Sequence, residues 1–276
     1  YSPQYSYLRA IRSIGFSSYQ SLQWMVRKRF AGGDQIDFNW TWSHSLDLSS
    51  ATENNQTESR AVNINPYNRG QIRASSDFDQ RHNLNANWVY GLPFGRGKKF
   101  LADMHPAANH LLGGWQVAGL FRWTTGLNSS VGHSRTWPTN YNISGWATTT
   151  GAFVDGTNRN APAPRGSTVG GINIFQDPAT AVNSFGFTRP GEIGNRNNVR
   201  GDGIFSIDLG LSKSIVMPWS EAHRVHLRGE TFNITNSVRF DPRNTNLSLQ
   251  NISNFGRYLG TLGGPRVMQF ALRYEF

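Results

Sequence analysis

Strict two-residue alternation of apolar and polar side chains, recurring in seven separate runs, constrains this chain more than any other feature. In the first run Leu22, Trp24, Val26 and Phe30 alternate with Ser21, Gln23, Arg27 and Arg29, broken only by Met25 and Lys28. After Ala31-Gly32-Gly33-Asp34 the second sets Ile36, Phe38, Trp40 and Trp42 against Asp37, Asn39, Thr41 and Ser43. The third opposes Leu84, Ala86, Trp88 and Tyr90 to Asn83, Asn85 and Asn87; the fourth opposes Trp115, Val117, Gly119, Phe121 and Trp123 to Gln116, Ala118, Arg122 and Thr124. The fifth carries Phe205, Ile207, Leu209, Leu211 and Ile215 against Ser206, Asp208, Gly210, Ser212 and Ser214. The sixth has Val225, Leu227, Gly229 and Thr231 against Arg224, His226, Arg228 and Glu230, and the last has Met268, Phe270, Leu272, Tyr274 and Phe276 against Gln269, Ala271, Arg273 and Glu275. A period of two places alternate side chains on opposite faces of a strand. About seven long strands are therefore expected, over residues 18-30, 35-46, 81-92, 113-126, 203-215, 223-235 and 266-276.

Mean hydropathy is −0.50 and no apolar stretch is long enough for a membrane helix, which on hydropathy alone would indicate a soluble protein. A transmembrane barrel escapes that test, because its lipid-facing and lumen-facing residues average out. Connection lengths point the same way. Joins within the pairs one–two, three–four and five–six are short, whereas residues 47-80, 127-202 and 236-265 form long joins rich in Asn, Ser, Thr, Gly and Pro. Short turns on one side and long loops on the other are the pattern of an outer-membrane barrel, with the long loops extracellular. Aromatic residues gather at both strand ends: Phe30, Tyr90, Trp115 and Phe276 on the short-turn side, Trp42 and Trp123 on the other. The fold class expected is all-β, an antiparallel meander forming a segment of a transmembrane β-barrel. An odd count of antiparallel strands cannot close on itself, so an open curved sheet is expected. The competing architecture is a soluble sandwich, for example a carbohydrate-binding β-domain.

The net charge of +10 arises from 27 basic residues scattered along the chain, with only Arg27-Lys28-Arg29 and Arg96-Gly97-Lys98-Lys99 as clusters, and does not indicate nucleic acid. With no Cys there are no disulfides, thiol nucleophiles or Cys-based metal sites. His223 and His226 fall on opposite strand faces, so they do not chelate one ion. Asp77 and Asp79 lack a partner base and read as rim solvation, as do His44 and His82. Gly91 to Gly97 has no following helix pattern to make a phosphate loop. No catalytic residue, metal or cofactor is expected, and the chain reads as a non-enzyme.

Several motifs carry a family resemblance. They are Thr41-Trp42-Ser43-His44-Ser45-Leu46-Asp47, Phe78-Asp79-Gln80-Arg81-His82, Tyr90-Gly91-Leu92-Pro93-Phe94-Gly95-Arg96-Gly97-Lys98, Leu111-Leu112-Gly113-Gly114-Trp115-Gln116-Val117-Ala118-Gly119, Asn195-Arg196-Asn197-Asn198-Val199-Arg200-Gly201 and Arg228-Gly229-Glu230-Thr231-Phe232-Asn233-Ile234-Thr235-Asn236. Together they resemble the C-terminal barrel of TonB-dependent receptors of the Oar-like type, which begin with a carboxypeptidase-regulatory-like domain. The resemblance implies that residues 1-276 are the last third of a roughly 22-stranded barrel, in the bacterial outer membrane. It also implies an N-terminal plug and further strands elsewhere in the protein, coupling to the TonB complex, and energised uptake of an extracellular ligand. A structural, adhesive or export role is the alternative within that family. Met268, Phe270, Leu272, Tyr274 and Phe276 resemble the signal read by the barrel-assembly machinery. Arg228, Glu230, Arg273 and Glu275 are expected on the lumen face, bracing the wall or touching the plug. In the loop 127-202, Trp137, Tyr141, Trp146, Phe153 and Phe175 either grip a ligand or hold the loop folded on itself.

Overall fold

The computed structural model describes residues 13–30, 32–50, 68–134 and 145–276. Seven long strands form one sheet: β1 (Ser17–Arg29), β2 (Gln35–Asp47), β3 (His82–Gly91), β4 (Trp115–Thr124), β5 (Phe205–Met217), β6 (Ser220–Phe232) and β7 (Val267–Glu275). They lie side by side in chain order, and every neighbouring pair is antiparallel. Among the described residues the sheet does not close, so β1 and β7 are its edges. No helix among these residues is long and apolar enough to cross a membrane.

Strand ends depart from the alternation by up to three residues, for reasons of turn chemistry. β6 stops at Phe232 because Asn233 takes a left-handed conformation (φ 51°), and its backbone N–H donates to Asp208 at 2.7 Å. β4 begins only at Trp115 because Gly114 (φ 72°) makes the turn out of a short helix, Pro106–Leu112. That helix starts with Pro106 at its first position, where the missing N–H costs nothing.

Register aligns the alternation across the whole sheet. One row runs Trp24, Trp40, Leu84, Trp123, Phe205, and a row on the opposite face runs Arg27, Asp37, Asn87, Leu120, Asp208. The apolar face is uncovered: Leu272 is 74% exposed and Phe270 84%. Conversely, every buried apolar side chain among the described residues lies outside the seven strands. A water-soluble sheet buries its apolar face against a second layer; here the core sits in the loops, and the sheet's apolar face has no protein partner among the described residues. Two glycines on that face are roofed by aromatic rings. A Cβ on Gly119 would come within 2.1 Å of the Trp88 ring, and one on Gly229 within 3.3 Å of Phe270. Each ring fills the space its cross-strand partner leaves.

Hollows of about 690 and 420 Å³ on the sheet are lined mainly by polar-face residues, including Gln116, Ser212, His226 and Arg228. The polar face is therefore the concave one, as a barrel lumen requires. Some residues lie against the pattern. Met25 and Leu120 stand on the polar face, opposite Asn39 and Asp208, while Lys28 and Lys213 stand in apolar rows, opposite Ile36 and Trp115. Both lysines are near the short-turn ends, where a long side chain can reach headgroup depth.

Adjacent residues of β5 separate the two faces experimentally. Leu211→Arg should cost about 2–4 kcal/mol if it sits near the bilayer midplane, whereas Ser212→Arg on the concave face should leave stability within about 0.5 kcal/mol. Denaturant unfolding of the intact protein in lipid vesicles reads both; equal effects would contradict the assignment of faces.

Candidate functional site

At the long-loop end, the three long connections pack together through a set of buried charges. Asp79 is 2% exposed. Its carboxylate accepts the Ser45 N–H at 2.8 Å and pairs with Arg200 Nη2 at 2.8 Å and Arg81 Nε at 3.3 Å. Arg200 also donates to the Gly126 carbonyl at 2.6 Å. Asp47, at the end of β2, pairs with Arg196 and accepts from the Ser50 hydroxyl at 2.6 Å. The Arg196 guanidinium reaches the Asp47 carbonyl at 3.0 Å and Asp77 at 3.3 Å as well, with its side chain only 4% exposed. Charges this deeply buried persist only when paired and hydrogen-bonded.

Arg196 and Arg200 belong to the segment 195–201, in which each residue has a contact. The Asn195 side chain accepts the Thr149 N–H at 2.7 Å, and that of Asn198 donates to the Thr149 hydroxyl at 2.6 Å. Asn197, at φ 53°, donates to the Ser75 carbonyl at 2.8 Å and exchanges hydrogen bonds with the Ser130 hydroxyl. Val199 is wholly buried, and a Cβ on Gly201 would lie 2.4 Å from Pro242. The segment thus ties the loop 127–202 to the end of β2, to residues 75–79 ahead of β3 and to the loop 236–265. The sequence reading of Asp79 as rim solvation is corrected accordingly. Arg81 is a near neighbour in sequence, but the partner Arg200 lies more than a hundred positions along the chain, beyond any local spacing signal.

Two apolar clusters complete this layer. Phe175 stacks on Phe255 with centroids 5.2 Å apart, and Phe153 and Phe185 pack against them. Trp146 is buried with Leu48, Ile72 and Ile193. Of the ring residues expected to grip a ligand or brace the loop, Phe175 and Trp146 are fully packed and Phe153 lies against the same core. These three rings brace the loop layer, and Trp146 also borders the cleft described below; Trp137 and Tyr141 lie outside the described residues. Tyr258 bridges the loops, its hydroxyl 2.7 Å from the Thr157 hydroxyl and accepting the Asp202 N–H at 3.2 Å. Burial pushes that phenol up to about 12.

Between the loops lies a cleft of about 790 Å³, lined by Ser130, His133, Arg196, Asn246 and Ser248 among others. His133 is held by the Thr188 hydroxyl at 2.8 Å and by the edge of Phe187. The lining is predominantly uncharged and hydrogen-bonding, suited to holding a polar ligand rather than to acid–base chemistry. No cluster of metal-ligating side chains occurs among the described residues.

On the concave face Arg228 pairs with Glu230 along β6, and Arg273 pairs with Glu275 along β7 at 3.0 Å. The two strands are linked by Gln269, which donates to Glu230, and by His226, which contacts Glu275 at 3.0 Å. Met268, Phe270, Leu272 and Tyr274 share the lipid-facing side of edge strand β7, and Phe276 follows directly. Tyr274 is joined to His223 at 2.6 Å.

Removing Arg196 should release the loop layer without disturbing the sheet. Arg196→Ala strands the Asp47 carboxylate and should cost that layer about 3–5 kcal/mol, while Arg27→Ala, whose pair with Asp37 is exposed, should cost less than about 1 kcal/mol. Hydrogen exchange of amides in 145–202 checks this; unchanged protection in the Arg196 variant would contradict the clamp.

The comparisons with known proteins agree with this architecture. A family model described as an outer membrane beta barrel domain matches residues 1–269. Neither the curated proteins nor the solved structures contain a match. An uncovered apolar face and a concave polar face agree with that match, and the chain belongs to the outer membrane beta barrel domain family, located in the bacterial outer membrane.

Proposed function

We propose that this chain is part of the wall of a TonB-dependent receptor, with its long loops forming the extracellular surface where a ligand is first held. The observation that carries the reading is the juxtaposition of a polar intercommunicating loop layer, containing a cleft of about 790 Å³, with a concave wall of paired charges. A passive pore needs no buried ion-pair clamp to fix its loops, whereas a receptor must present a fixed surface to its ligand. The concave face alternates Arg228, Glu230, Gln269, Arg273 and Glu275. Such a wall, wet but matched in charge, is suited to hold a folded plug that energy from the inner membrane displaces. The motifs quoted above support the same family. In this reading the chain binds and houses and carries out no catalysis. Its edges β1 and β7 pair with further strands of the same barrel, because an unpaired edge in a bilayer leaves backbone N–H and C=O groups unsatisfied.

Strand β7 fits the role of assembly signal, since Met268, Phe270, Leu272 and Tyr274 all lie on the lipid side of an edge and Phe276 follows directly. Deleting residues 145–195 from the intact receptor should abolish ligand uptake while leaving the barrel assembled, judged by heat-modifiable mobility and uptake assays; undiminished uptake would refute the receptor reading. Phe276→Asn should instead reduce insertion into the outer membrane several-fold with uptake per inserted molecule unchanged, and normal insertion would remove the signal role.

A further inference from the structure

The β3–β4 connection, residues 92–114, lies at the end of the sheet opposite the long loops and is more than a turn. It carries Arg96, Lys98 and Lys99 against a single acidic residue, Asp103. Two side chains from lipid-facing rows pin its helix to the rim: the Trp115 indole donates to the Leu111 carbonyl at 2.8 Å, and the Lys213 ammonium donates to the Gly113 carbonyl. Lys213 is itself 6% exposed beneath this contact, with its ammonium 5.5 Å from the Trp115 ring. The helix end is thereby fixed on the lipid side of the rim, where it leaves Leu111 72% exposed and Leu112 55% exposed. Phe94 and Phe100 pair their rings at 5.8 Å across the base of the basic turn, and Lys99 lies 5.6 Å from the Phe100 ring. Along the same rim Lys28 sits 4.8 Å from the ring of Phe30.

Exposed leucines at headgroup depth beside a cluster of cations form an amphipathic surface continuous with the lipid-facing belt. We propose that this connection is an interfacial anchor for anionic phospholipid of the periplasmic leaflet, with Leu111 and Leu112 set among the upper acyl chains and Arg96 and Lys99 engaging lipid phosphate, while Lys98 borders the concave-face hollow. Its charge matches that occupant: three cations against one carboxylate, on a turn that Gly95 and Gly97 hold open at φ 124° and 71°. Lys213 and Trp115 are positioning residues, since both donate to backbone carbonyls at the end of the helix.

The test uses the intact protein purified in mild detergent, with lipid retention counted by native mass spectrometry against phosphatidylglycerol and phosphatidylethanolamine. The wild type should prefer phosphatidylglycerol, by about fivefold for each engaged cation at low salt, with the preference falling as salt rises. An Arg96→Gln, Lys99→Gln variant should lose the preference while still retaining phosphatidylethanolamine. A Leu111→Ser, Leu112→Ser variant should retain fewer lipids of both kinds. Equal retention of the two lipids by the wild type overturns the proposal, and that measurement stands even if a variant fails to assemble. A preference that survives in the Arg96→Gln, Lys99→Gln variant overturns it as well, by placing the anionic lipid elsewhere on the protein.

Discussion

The rest of the structure depends on where the apolar face of the sheet can go. Seven strands pair laterally and satisfy one another's backbone, but among the described residues no second layer of protein covers the rows that run through Trp24, Trp40 and Phe205. Only lipid can cover such a face. The polar face must then border water, which is why asparagine, serine and paired charges are tolerated along the whole concave surface. The same requirement explains the glycines under Trp88 and Phe270: large rings spread over small neighbours give the lipid a continuous apolar surface.

Because the bilayer takes over the role of a core, what protein core exists had to form elsewhere. It forms among the long loops, from Phe175, Phe255, Ile174 and their neighbours. Two small clusters bury little area compared with an ordinary domain, and buried ion pairs do part of the fastening. Arg196 and Arg200 each tie the longest loop to a carboxylate near the strand tops, Asp47 and Asp79. A buried pair of this kind adds little net stability compared with an apolar substitute, but it fixes one arrangement of the loops, because any other arrangement strands a charge.

The short-turn end is organised differently. There, lysine and tryptophan side chains from lipid-facing rows hold a helix against the rim, so residues that interrupt the alternation are used to place a connection relative to the membrane. Lys28 and Lys213 look like errors in the pattern, but their positions near the rim give them a physical purpose.

The sequence by itself determined the strands, their faces, the short-then-long rhythm of connections and hence the membrane environment, because a period of two is a local property and every strand shows it. It also placed Arg228, Glu230, Arg273 and Glu275 on one face, since parity alone decides that. Only the tertiary structure decided what those residues pair with: Arg228 and Arg273 bond along their own strands, and Gln269 and His226 make the links across. Only the fold could show that Trp146 and Phe175 are core, because an aromatic ring in a polar loop has the same sequence signature whether it waits for a ligand or packs on another ring. The ion pairs joining Asp47 and Asp79 to Arg196 and Arg200 were likewise illegible. They span more than a hundred residues of chain, and contacts at that separation are set by how the loops fold over the barrel end and not by any periodicity in the sequence.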